Sequence, residues 1–400
     1  MSEFTAADYA HMAEALRLAA RGQYSVHPNP QVGCVIVRDG VVVGRGGHLR
    51  AGEPHAEVYA LAEAGELARG ATAYVTLEPC AHHGRTPPCA EALVAAGVAE
   101  VVVSVRDANP QVAGRGIKRL RDAGINVRDG LLADQAQAQN LGFLRVMAGG
   151  RPWLRAKIAL SADGRSAMAS GESKWITGSA ARADVQHWRA RSSAIITGSG
   201  TILADDPSLN VRPEMWVDAA HLQAHAVSGV RQPERVVLDT FARTPIDSAL
   251  FASGGAVRVL HGAIDGSAEM AARIEALKAS GALLQAIALA TANSPTQSAA
   301  QTASNQSGLD IHAALSTLAT AGHHTLMLEA GATLTGAFLR AGVVDELIVY
   351  QAPTLLGSEA RAAIAWPMQH MAEQCRMRVT DRRQIGEDTR TIYHCSVAAT

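Results

Sequence analysis

"HAEVYALAEAGELARGATAYVTLEPC", residues 55–80, is the stretch that decides the fold. HAEVYALAEAGEL (55–67) has the apolar spacing that predicts a helix, and TAYVTL (72–77) predicts a buried strand. The alternation continues with a helix over CAEALVAAG (89–97) and a strand over VVVSV (101–105). Helices that alternate with short apolar strands predict an α/β layer with a mainly parallel sheet.

Upstream of this stretch, the sequence predicts one helix and one hairpin. Thr5-Ala-Ala-Asp8 resembles a capping box, and the residues from Tyr9 to Ala20 have the spacing of an amphipathic helix. VGCVIV (32–37) and VVVGRG (41–46) are separated by an Asp-Gly pair, which is typical of a β-hairpin. The hairpin is the expected exception to the parallel sheet.

A domain boundary is predicted near residue 150. A long helix over Asp134–Met147 ends at Ala148-Gly-Gly-Arg-Pro152, where glycine and proline are typical of a linker. Beyond it the alternation restarts, so the predicted domains are residues 1–148 and 152–400. Further strands are expected at 153–160, 193–198, 235–239, 257–261, 325–331 and 346–352, helices at 179–192 and 333–342, and polar insertions near 212–229 and 291–308.

Composition and charge narrow the classes of partner. The 400 residues carry 36 Lys+Arg and 37 Asp+Glu, a net charge of −1, and 4% aromatic residues, so nucleic-acid binding is not indicated. The N-terminus MSEFTAADYAHM has no apolar segment typical of a signal peptide, and no window approaches the roughly 18 apolar residues of a membrane span. Five cysteines, an odd number, do not predict a disulfide framework. We therefore expect a soluble cytoplasmic enzyme, with its oligomeric state left open.

One histidine and two cysteines are placed to hold a metal ion. His55 begins the predicted 55–67 helix, Cys80 lies just past the 72–77 strand, and Cys89 begins the next helix. In a parallel α/β layer these ends meet at one edge of the sheet. One imidazole and two thiolates suit Zn²⁺, and three protein ligands leave a fourth position for water, whose pKa zinc lowers from about 15.7 toward about 7. The set predicts a catalytic zinc site.

Glu57 is the predicted catalytic residue of this site. It lies two positions after His55 on the same helical turn, a placement that disfavours a bond to the same ion. Its carboxylate could take a proton from the water and deliver it to a leaving amine. The alternative is a structural zinc protein, in which a side chain such as His82 completes the ligands and leaves no place for water.

The order H-A-E followed by P-C resembles the zinc-dependent nucleobase deaminases. Nucleoside and tRNA deaminases separate their two cysteines by two residues, whereas the loop AHHGRTPP separates Cys80 from Cys89 here. The longer loop, the neutral charge and the few aromatic residues disfavour the alternative of a tRNA or nucleoside deaminase with an unrelated appendix.

A more specific resemblance covers roughly residues 1–147. HPNPQVGCVIVRDG (27–40), HLRAGEPHAEV (48–58), the long cysteine loop and NPQVAGRGI (109–117) are similar to the deaminase half of the bifunctional riboflavin-biosynthesis deaminase/reductase family. The resemblance implies a cytidine-deaminase-like α/β/α domain. It also implies hydrolytic deamination of 2,5-diamino-6-ribosylamino-4(3H)-pyrimidinone 5′-phosphate.

The same resemblance implies substrate contacts from Asn29 and from the cysteine loop. An asparagine amide offers a donor and an acceptor together to a pyrimidine edge. His82, with His83 and Arg85 nearby, lies within reach of the substrate's ring or phosphate. An asparagine between two prolines is also typical of a turn, and a histidine of a polar loop.

Three blocks of the second domain resemble the reductase half of that family: 157–177, 197–212 and 328–357. This half implies a dihydrofolate-reductase-like α/β fold that uses NADPH to reduce the ribosyl group to a ribityl chain. No G-x-G-x-x-G follows an early strand, so a Rossmann fingerprint is absent. Instead GATLTG (331–336) opens a helix, whose free N–H groups suit phosphate oxygens.

The resemblance also assigns binding residues in the reductase half. Those assigned to NADPH are Ala159, Trp175, Thr201, Asp205, Thr240, Gly331, Ala332, Thr333, Leu334, Thr335, Gly336 and Ala337. Those assigned to the substrate are Ser173, Arg189, Leu209, Arg212 and Glu329. The two arginines offer planar donor groups for a sugar phosphate.

The proton donor of the reduction is left open by the sequence. Asp163, in the turn SADG, is the carboxylate to test first, although an aspartate there is also typical of turn formation. Trp175 could likewise be a core residue instead of a wall for the nicotinamide.

Overall fold

The computed structural model divides the chain into two compact units. It describes residues 4–81, 88–110, 112–216, 230–263, 267–290 and 308–395. The first unit comprises Met1–Arg151 with Ala220–Arg231, and the second comprises Pro152–Ala219 with Gln232–Thr400. Most of the two predicted polar insertions lies outside the described residues.

The first unit is a sheet covered by helices. The helices are α1 (Ala6–Ala20), α2 (Ala56–Ala64), α3 (Cys89–Ala96), α4 (Arg115–Asp122), α5 (Ala133–Gln139) and α6 (Leu141–Met147). The strands are β1 (Gly33–Arg38), β2 (Val41–Gly47), β3 (Thr72–Leu77), β4 (Glu100–Val105) and β5 (Asn126–Asp129). Their order is β2-β1-β3-β4-β5, with β1 antiparallel to both neighbours and β3, β4 and β5 parallel. The predicted hairpin is confirmed as the antiparallel part of the sheet.

Local signals set the bounds of several of these elements. The hydroxyl of Thr5 accepts a hydrogen bond from the backbone N–H of Asp8 at 3.2 Å, and the Asp8 carboxylate accepts from the backbone N–H of Thr5 at 2.8 Å. This is the predicted capping box at the start of α1. Gly97, with φ +68°, ends α3 in the left-handed conformation.

The single helix predicted over Asp134–Met147 is wrong, because the chain breaks at Asn140 into α5 and α6. The Asn140 side chain accepts a hydrogen bond from the backbone N–H of Gln31 at 2.8 Å and donates to its carbonyl at 2.9 Å. These long-range bonds hold Asn140 at φ −124° and ψ 22°, outside the helical region. A contact between distant parts of the chain overrides local helix propensity here.

Within the described residues, the second unit has a nine-stranded sheet and a separate two-stranded sheet, which the short strands Arg165–Ala167 and Arg361–Ala362 form. Its strands are β6 (Trp153–Leu160), β7 (Arg165–Ala167), β8 (Ala194–Gly198), β9 (Glu234–Leu238), β10 (Val257–His261), β11 (Leu283–Ala286), β12 (Thr325–Leu328), β13 (Glu346–Gln351), β14 (Arg361–Ala362), β15 (Arg378–Ile385) and β16 (Asp388–His394). Its helices are α7 (Ser179–Ala190), α8 (Ser199–Asp205), α9 (Ala249–Ala252), α10 (Ala268–Ala279), α11 (Ile311–Thr320) and α12 (Ala332–Arg340).

The strand order of the second sheet determines which loops meet. Within the described residues it is β11-β10-β9-β8-β12-β6-β13-β16-β15, parallel from β11 to β13, with β16 and β15 antiparallel. The loops that follow β9, β8, β12 and β6 therefore leave the same edge of the sheet. None of the helices in the described ranges combines the length and hydropathy needed to cross a bilayer.

Candidate functional site

The three predicted metal ligands come together in the first unit. His55 is the N-cap of α2, Cys80 follows β3, and Cys89 is the first residue of α3. The imidazole nitrogen of His55 lies 3.2 Å from the Cys89 sulfur and 3.7 Å from the Cys80 sulfur. The three donor atoms lie within 4.8 Å of one another, so one small ion could contact all of them.

Backbone bonds hold the two cysteines together across their long loop. The backbone N–H of Cys89 donates to the Cys80 sulfur at 3.2 Å, and that of Ala90 donates to the Cys80 carbonyl at 3.2 Å. A hydrogen bond from the Cys89 thiol lowers the pKa of Cys80 to about 4, and the same contact, with burial, raises the pKa of Cys89. The pair thus presents one ready thiolate, and binding of a divalent cation would displace the remaining proton.

Glu57 lies beside the ligands, on the first turn of α2. Its side chain is only 3% exposed, and its Oε2 atom has no hydrogen-bond partner among the described residues. Burial raises the pKa of this carboxyl above its usual value. A buried carboxylate oxygen without a partner next to three metal-binding atoms fits a zinc site in which a further small molecule takes part.

A relay of hydrogen bonds fixes Asn29 near this cluster. One ring nitrogen of His48 lies 3.0 Å from the Pro54 carbonyl, and the other lies 2.9 Å from the Asn29 amide nitrogen. Burial lowers the pKa of His48 to about 4, so the ring is neutral and donates to Pro54 while it accepts from Asn29. His48 was not singled out from the sequence, although it lies in the quoted block 48–58. The predicted loop residues His82, His83 and Arg85 lie outside the described residues.

In the second unit, a buried ion pair follows β12. Arg189, on α7, donates from Nε to Oε1 of Glu329 at 2.6 Å and from Nη2 to Oε2 at 3.0 Å, and its Nη1 donates to the Asn210 carbonyl at 3.0 Å. Burial opposes ionisation of Glu329, but the charge and hydrogen bonds of Arg189 outweigh it and hold the carboxyl's pKa below its usual value. Nε, Nη1 and Nη2 of Arg189 thus all donate to protein oxygens, and the main partner of the guanidinium is Glu329.

Lys157 lies next to this pair and was missed in the sequence. Leu328 of β12 pairs with Ala156 of β6, so the following residues, Glu329 and Lys157, lie side by side. Burial lowers the pKa of Lys157, and the charge of Glu329 partly opposes that shift. The available signal was a lysine inside the apolar strand WLRAKIAL.

The predicted phosphate-binding helix, α12, starts at the same edge of the sheet. Its N-cap is Gly331, whose backbone N–H donates to the Thr201 hydroxyl at 3.3 Å. A Cβ on Gly336 would lie 2.2 Å from the Ala365 carbonyl oxygen, so only glycine fits there. Thr201 and the 331–336 run, both predicted from the sequence, are thus brought together.

The remaining predicted residues of the second unit differ in how exposed their side chains are. Trp175 is 70% exposed with Arg182 4.5 Å above its ring, so it is not a core residue. Leu209 is buried at φ +46°, and Arg212 carries an exposed side chain. Asp205 is exposed, while Ala159, Ser173 and Thr240 are half-buried.

Asp163, the carboxylate first considered as a proton donor, connects its own turn to the backbone at Leu356 and Gly357. It accepts hydrogen bonds from the Ser161 hydroxyl and from the backbone N–H groups of Leu356 and Gly357 at 2.5–3.3 Å. The bond from Ser161 and these backbone bonds hold the pKa of Asp163 down to about 2. The carboxylate is therefore ionised at neutral pH, and its oxygens already accept hydrogen bonds from Ser161, Leu356 and Gly357.

Two family models match the chain. Residues 5–105 match the cytidine and deoxycytidylate deaminase zinc-binding region, and residues 152–391 match the RibD C-terminal domain. The chain is 46% identical to the riboflavin biosynthesis protein RibD of Escherichia coli over 384 residues, which are 95% of this chain and 97% of that protein. It is 44% identical to RibD of Haemophilus influenzae, covering 98% of this chain and 99% of that protein.

Solved structures agree with these matches. RibD of Acinetobacter baumannii is similar with a TM-score of 0.83 at 46% identity, covering 98% of this chain and 99% of that one. The diaminohydroxyphosphoribosylaminopyrimidine deaminase/5-amino-6-(5-phosphoribosylamino)uracil reductase of Thermotoga maritima is similar with a TM-score of 0.78 at 26% identity and the same coverage. The chain therefore belongs to the RibD family, the bifunctional enzymes of riboflavin biosynthesis that join a zinc-dependent deaminase to an NADPH-dependent reductase.

Proposed function

We propose that the first unit deaminates 2,5-diamino-6-ribosylamino-4(3H)-pyrimidinone 5′-phosphate and that the second then reduces the ribosyl group of the product. The assignment of one activity to each unit follows the ranges matched by the two family models. The observation that carries it is the set of three donor atoms within 4.8 Å beside the unpartnered carboxylate oxygen of Glu57.

In the deaminase, His55, Cys80 and Cys89 would hold zinc. Zinc bound by such a set acts as a Lewis acid and lowers the pKa of water to about 7. Glu57 takes a proton from the attacking water and passes it to the departing amine nitrogen. A carboxyl with a raised pKa is better matched to accepting and then releasing a proton near neutral pH.

Asn29 would orient the pyrimidine in the deaminase site. Its amide nitrogen is held by the neutral ring of His48, which is itself anchored on the Pro54 carbonyl. This fixes which way the amide faces and presents its oxygen as an acceptor for a substrate amine. His82 is proposed as a further contact from the loop between the cysteines.

In the reductase, residues that the family resemblance assigns to NADPH would hold the cofactor. The proposed contacts are Ala159, Trp175, Thr201, Asp205, Thr240 and the run from Gly331 to Ala337. The first N–H groups of α12 suit phosphate oxygens, and the glycine of its N-cap lets a phosphate approach the backbone. NADPH, when bound, supplies the hydride.

The substrate of the reductase would be held by Ser173, Arg189, Leu209, Arg212 and Glu329. Because both ends of the Arg189 guanidinium already bind protein oxygens, Arg212, with its exposed side chain, is the better candidate for the phosphate. Arg189 instead holds the Glu329 carboxylate in one orientation toward the sugar hydroxyls.

Lys157 is proposed as the proton donor of the reduction. Hydride addition at C1′ opens the sugar ring, and the ring oxygen then needs a proton. Lys157 is half-buried, its pKa is lowered by burial, and it lies beside Glu329. A lysine whose pKa is closer to neutral releases its proton more readily.

We place the reactions in the cytoplasm. All five cysteines lie in the described ranges and are free thiols, and two of them are the proposed zinc ligands. A thiol pair kept for metal binding suits a reducing compartment. The proposed partners are small phosphorylated pyrimidines.

Metal analysis combined with two activity assays tests this proposal. We expect about one zinc ion per chain, ammonia release from the diaminopyrimidinone substrate but not from cytidine, and NADPH oxidation only with the deaminated product. Protein that is free of metal yet still releases ammonia would contradict the zinc mechanism, and turnover of cytidine would contradict the substrate.

A further inference from the structure

The block 109–117, singled out in the sequence, takes no part in the sites described so far. It lies just after β4 and leads into α4. Its backbone instead meets Glu78, which follows β3 and stands two residues before the proposed ligand Cys80. The Glu78 side chain is only 4% exposed.

The Glu78 carboxylate binds three backbone N–H groups of this region. Oε2 accepts from Asp107 at 3.3 Å and from Gly114 at 3.0 Å, and Oε1 accepts from Ile117 at 3.1 Å. We call this set of three bonds the Glu78 clamp. A buried carboxylate that accepts several backbone bonds is rigidly held, because each bond restricts its rotation.

The Glu78 clamp caps the N-terminus of α4, whose own N-cap residue has no side chain that could do so. Gly114 is the N-cap of α4 and has no side chain with which to bind the first free N–H groups. Glu78 accepts from the N–H of Gly114 and from that of Ile117 in the first turn, so it caps the helix from another strand. Its negative charge also suits the positive end of the helix dipole.

A second observation shows how closely the two segments fit. A Cβ on Gly116 would lie 1.9 Å from the carbonyl oxygen of Pro79 and 3.3 Å from Cγ of Glu78. No real side chain tolerates the first distance, so α4 rests on the peptide immediately before Cys80 only because residue 116 is glycine.

The same short segment is also held by α3 and by the end of β4. The Cys80 carbonyl accepts from Ala90, the Cys80 sulfur accepts from Cys89, and the backbone N–H of Glu78 donates to the Val105 carbonyl at 2.9 Å. Cys80 itself lies beyond the end of the strand, where the sheet ladder no longer fixes it. The clamp and the glycine contact are what fix the approach to Cys80 from the α4 side.

We propose that Glu78 is a positioning residue of the deaminase: through Pro79, the Glu78 clamp sets the place of the Cys80 sulfur and so the geometry and retention of the metal. This inference rests on the proposed zinc site. In this proposal Gly114 and Ile117, which lie in the 109–117 block, act on the metal site through Glu78.

The test replaces Glu78 by glutamine in the full-length zinc protein. Glu78→Gln keeps the shape of the side chain but exchanges one acceptor oxygen for an NH₂ group, which cannot accept from a backbone N–H. Glu100→Gln is the control for loss of a carboxylate elsewhere in the same sheet, because Glu100 accepts hydrogen bonds from the side chains of Arg128 and Asn126 at the opposite end of β4 and makes none to the segment before Cys80 in the described residues.

We expect Glu78→Gln to lose zinc to a chelator roughly 10- to 100-fold faster than wild type, as supporting residues of metal ligands do. The visible spectrum of the cobalt-substituted protein should shift, and kcat for deamination should fall, while NADPH oxidation on the deaminated substrate stays unchanged. Glu100→Gln should match wild type in all these measurements. Gly116→Ala should reproduce the cobalt shift by displacing Pro79 directly.

Wild-type zinc release and a wild-type cobalt spectrum in Glu78→Gln would overturn the inference. A wild-type kcat at saturating zinc together with a wild-type spectrum at saturating cobalt would overturn the claim that Glu78 sets the geometry of the site. Cys80→Ser, measured in parallel, separates the assignment of Cys80 as a ligand from the role of Glu78. Zinc retained in Cys80→Ser defeats the ligand assignment, whereas zinc lost there but held normally in Glu78→Gln defeats only the role of Glu78.

Discussion

The two units hold their chemistry in different ways. In the first, a histidine and two cysteines converge on one point, and the two cysteines are 9 residues apart in the chain. In the second, the buried pair Arg189 and Glu329 is 140 residues apart, and the proposed cofactor contacts include the backbone at the start of α12.

This difference explains why one site is easier to recognise than the other. A metal site requires particular donor atoms, so residue types and spacing identify it. A dinucleotide site is made of backbone N–H groups, small residues and shape, which many sequences can supply. Substitutions at the proposed site residues should therefore abolish activity almost completely in the first unit and reduce it by degrees in the second.

The largest effect is expected for Glu57→Gln. An amide cannot carry the proton from water to the leaving amine, so deamination should fall about 10²- to 10⁴-fold, while zinc content and NADPH oxidation are retained. Ammonia release and metal content of the same preparation measure this. Deamination close to wild type would show that Glu57 is not the proton carrier, and the first unit would lose its all-or-none character.

The next largest effect is expected for Arg189→Met, which should lower the free energy of unfolding of the second unit. It leaves the buried carboxylate of Glu329 without its partner, and breaking one side of a buried pair costs about 3–5 kcal/mol. We expect a lower denaturation midpoint for the second unit, followed by circular dichroism, and weaker reductase activity. Deamination by the first unit is the internal control, and a joint loss of both activities would contradict the independence of the two sites.

Arg212→Ala should have a smaller effect, confined to substrate affinity. The Arg212 side chain is exposed, so its loss should raise KM for the deaminated substrate about 10-fold, the scale of one charge-assisted hydrogen bond, without changing the denaturation midpoint. Steady-state kinetics at saturating NADPH measure it. If KM is unchanged, the phosphate is held elsewhere, and Arg189 must be reconsidered despite its bonds to Glu329.

The smallest effect on activity is expected for Glu234→Gln, whose change should be confined to stability. Burial opposes ionisation of Glu234, but His323 and Arg258 outweigh it and lower the carboxyl's pKa from 4.5 to about 2. A depressed pKa means that Glu234 stabilises the fold above about pH 4.5 and that this contribution is lost as the pH falls toward 2. The difference in unfolding free energy between wild type and variant should therefore shrink over that range, and a difference that stays constant there would contradict the assignment.

Much of the secondary structure could be predicted because local signals and tertiary contacts agree. The capping box at Thr5 and the strand at 72–77 appear where the sequence places them. The break at Asn140 could not be predicted, since it depends on bonds to Gln31, 109 residues away. The β15–β16 hairpin was also missed, because β15 is exposed along nearly its whole length and lacks an apolar pattern.

The site residues also differ in whether the sequence alone could predict them. The cluster of His55, Cys80 and Cys89 could be predicted because a metal ion demands particular donor atoms, whereas the role of Glu57 stays a prediction. His48 and Lys157 could not be predicted, because a histidine or a lysine acquires an unusual pKa only from the burial and neighbours that folding gives it. The sequence left open whether Trp175 is a core or a surface residue, and the structure places it on the surface.

By itself, the sequence determined the alternation of helices and strands, the residue types of the metal cluster and the family resemblance, since these depend on periodicity and on side-chain chemistry. Only the tertiary structure decided which carboxylates are paired, which are free to act and which, like Asp163 and Glu78, hold a turn or brace a ligand. The physical reason is that a carboxylate's role depends on the donors around it, and residues distant in the chain bring those donors.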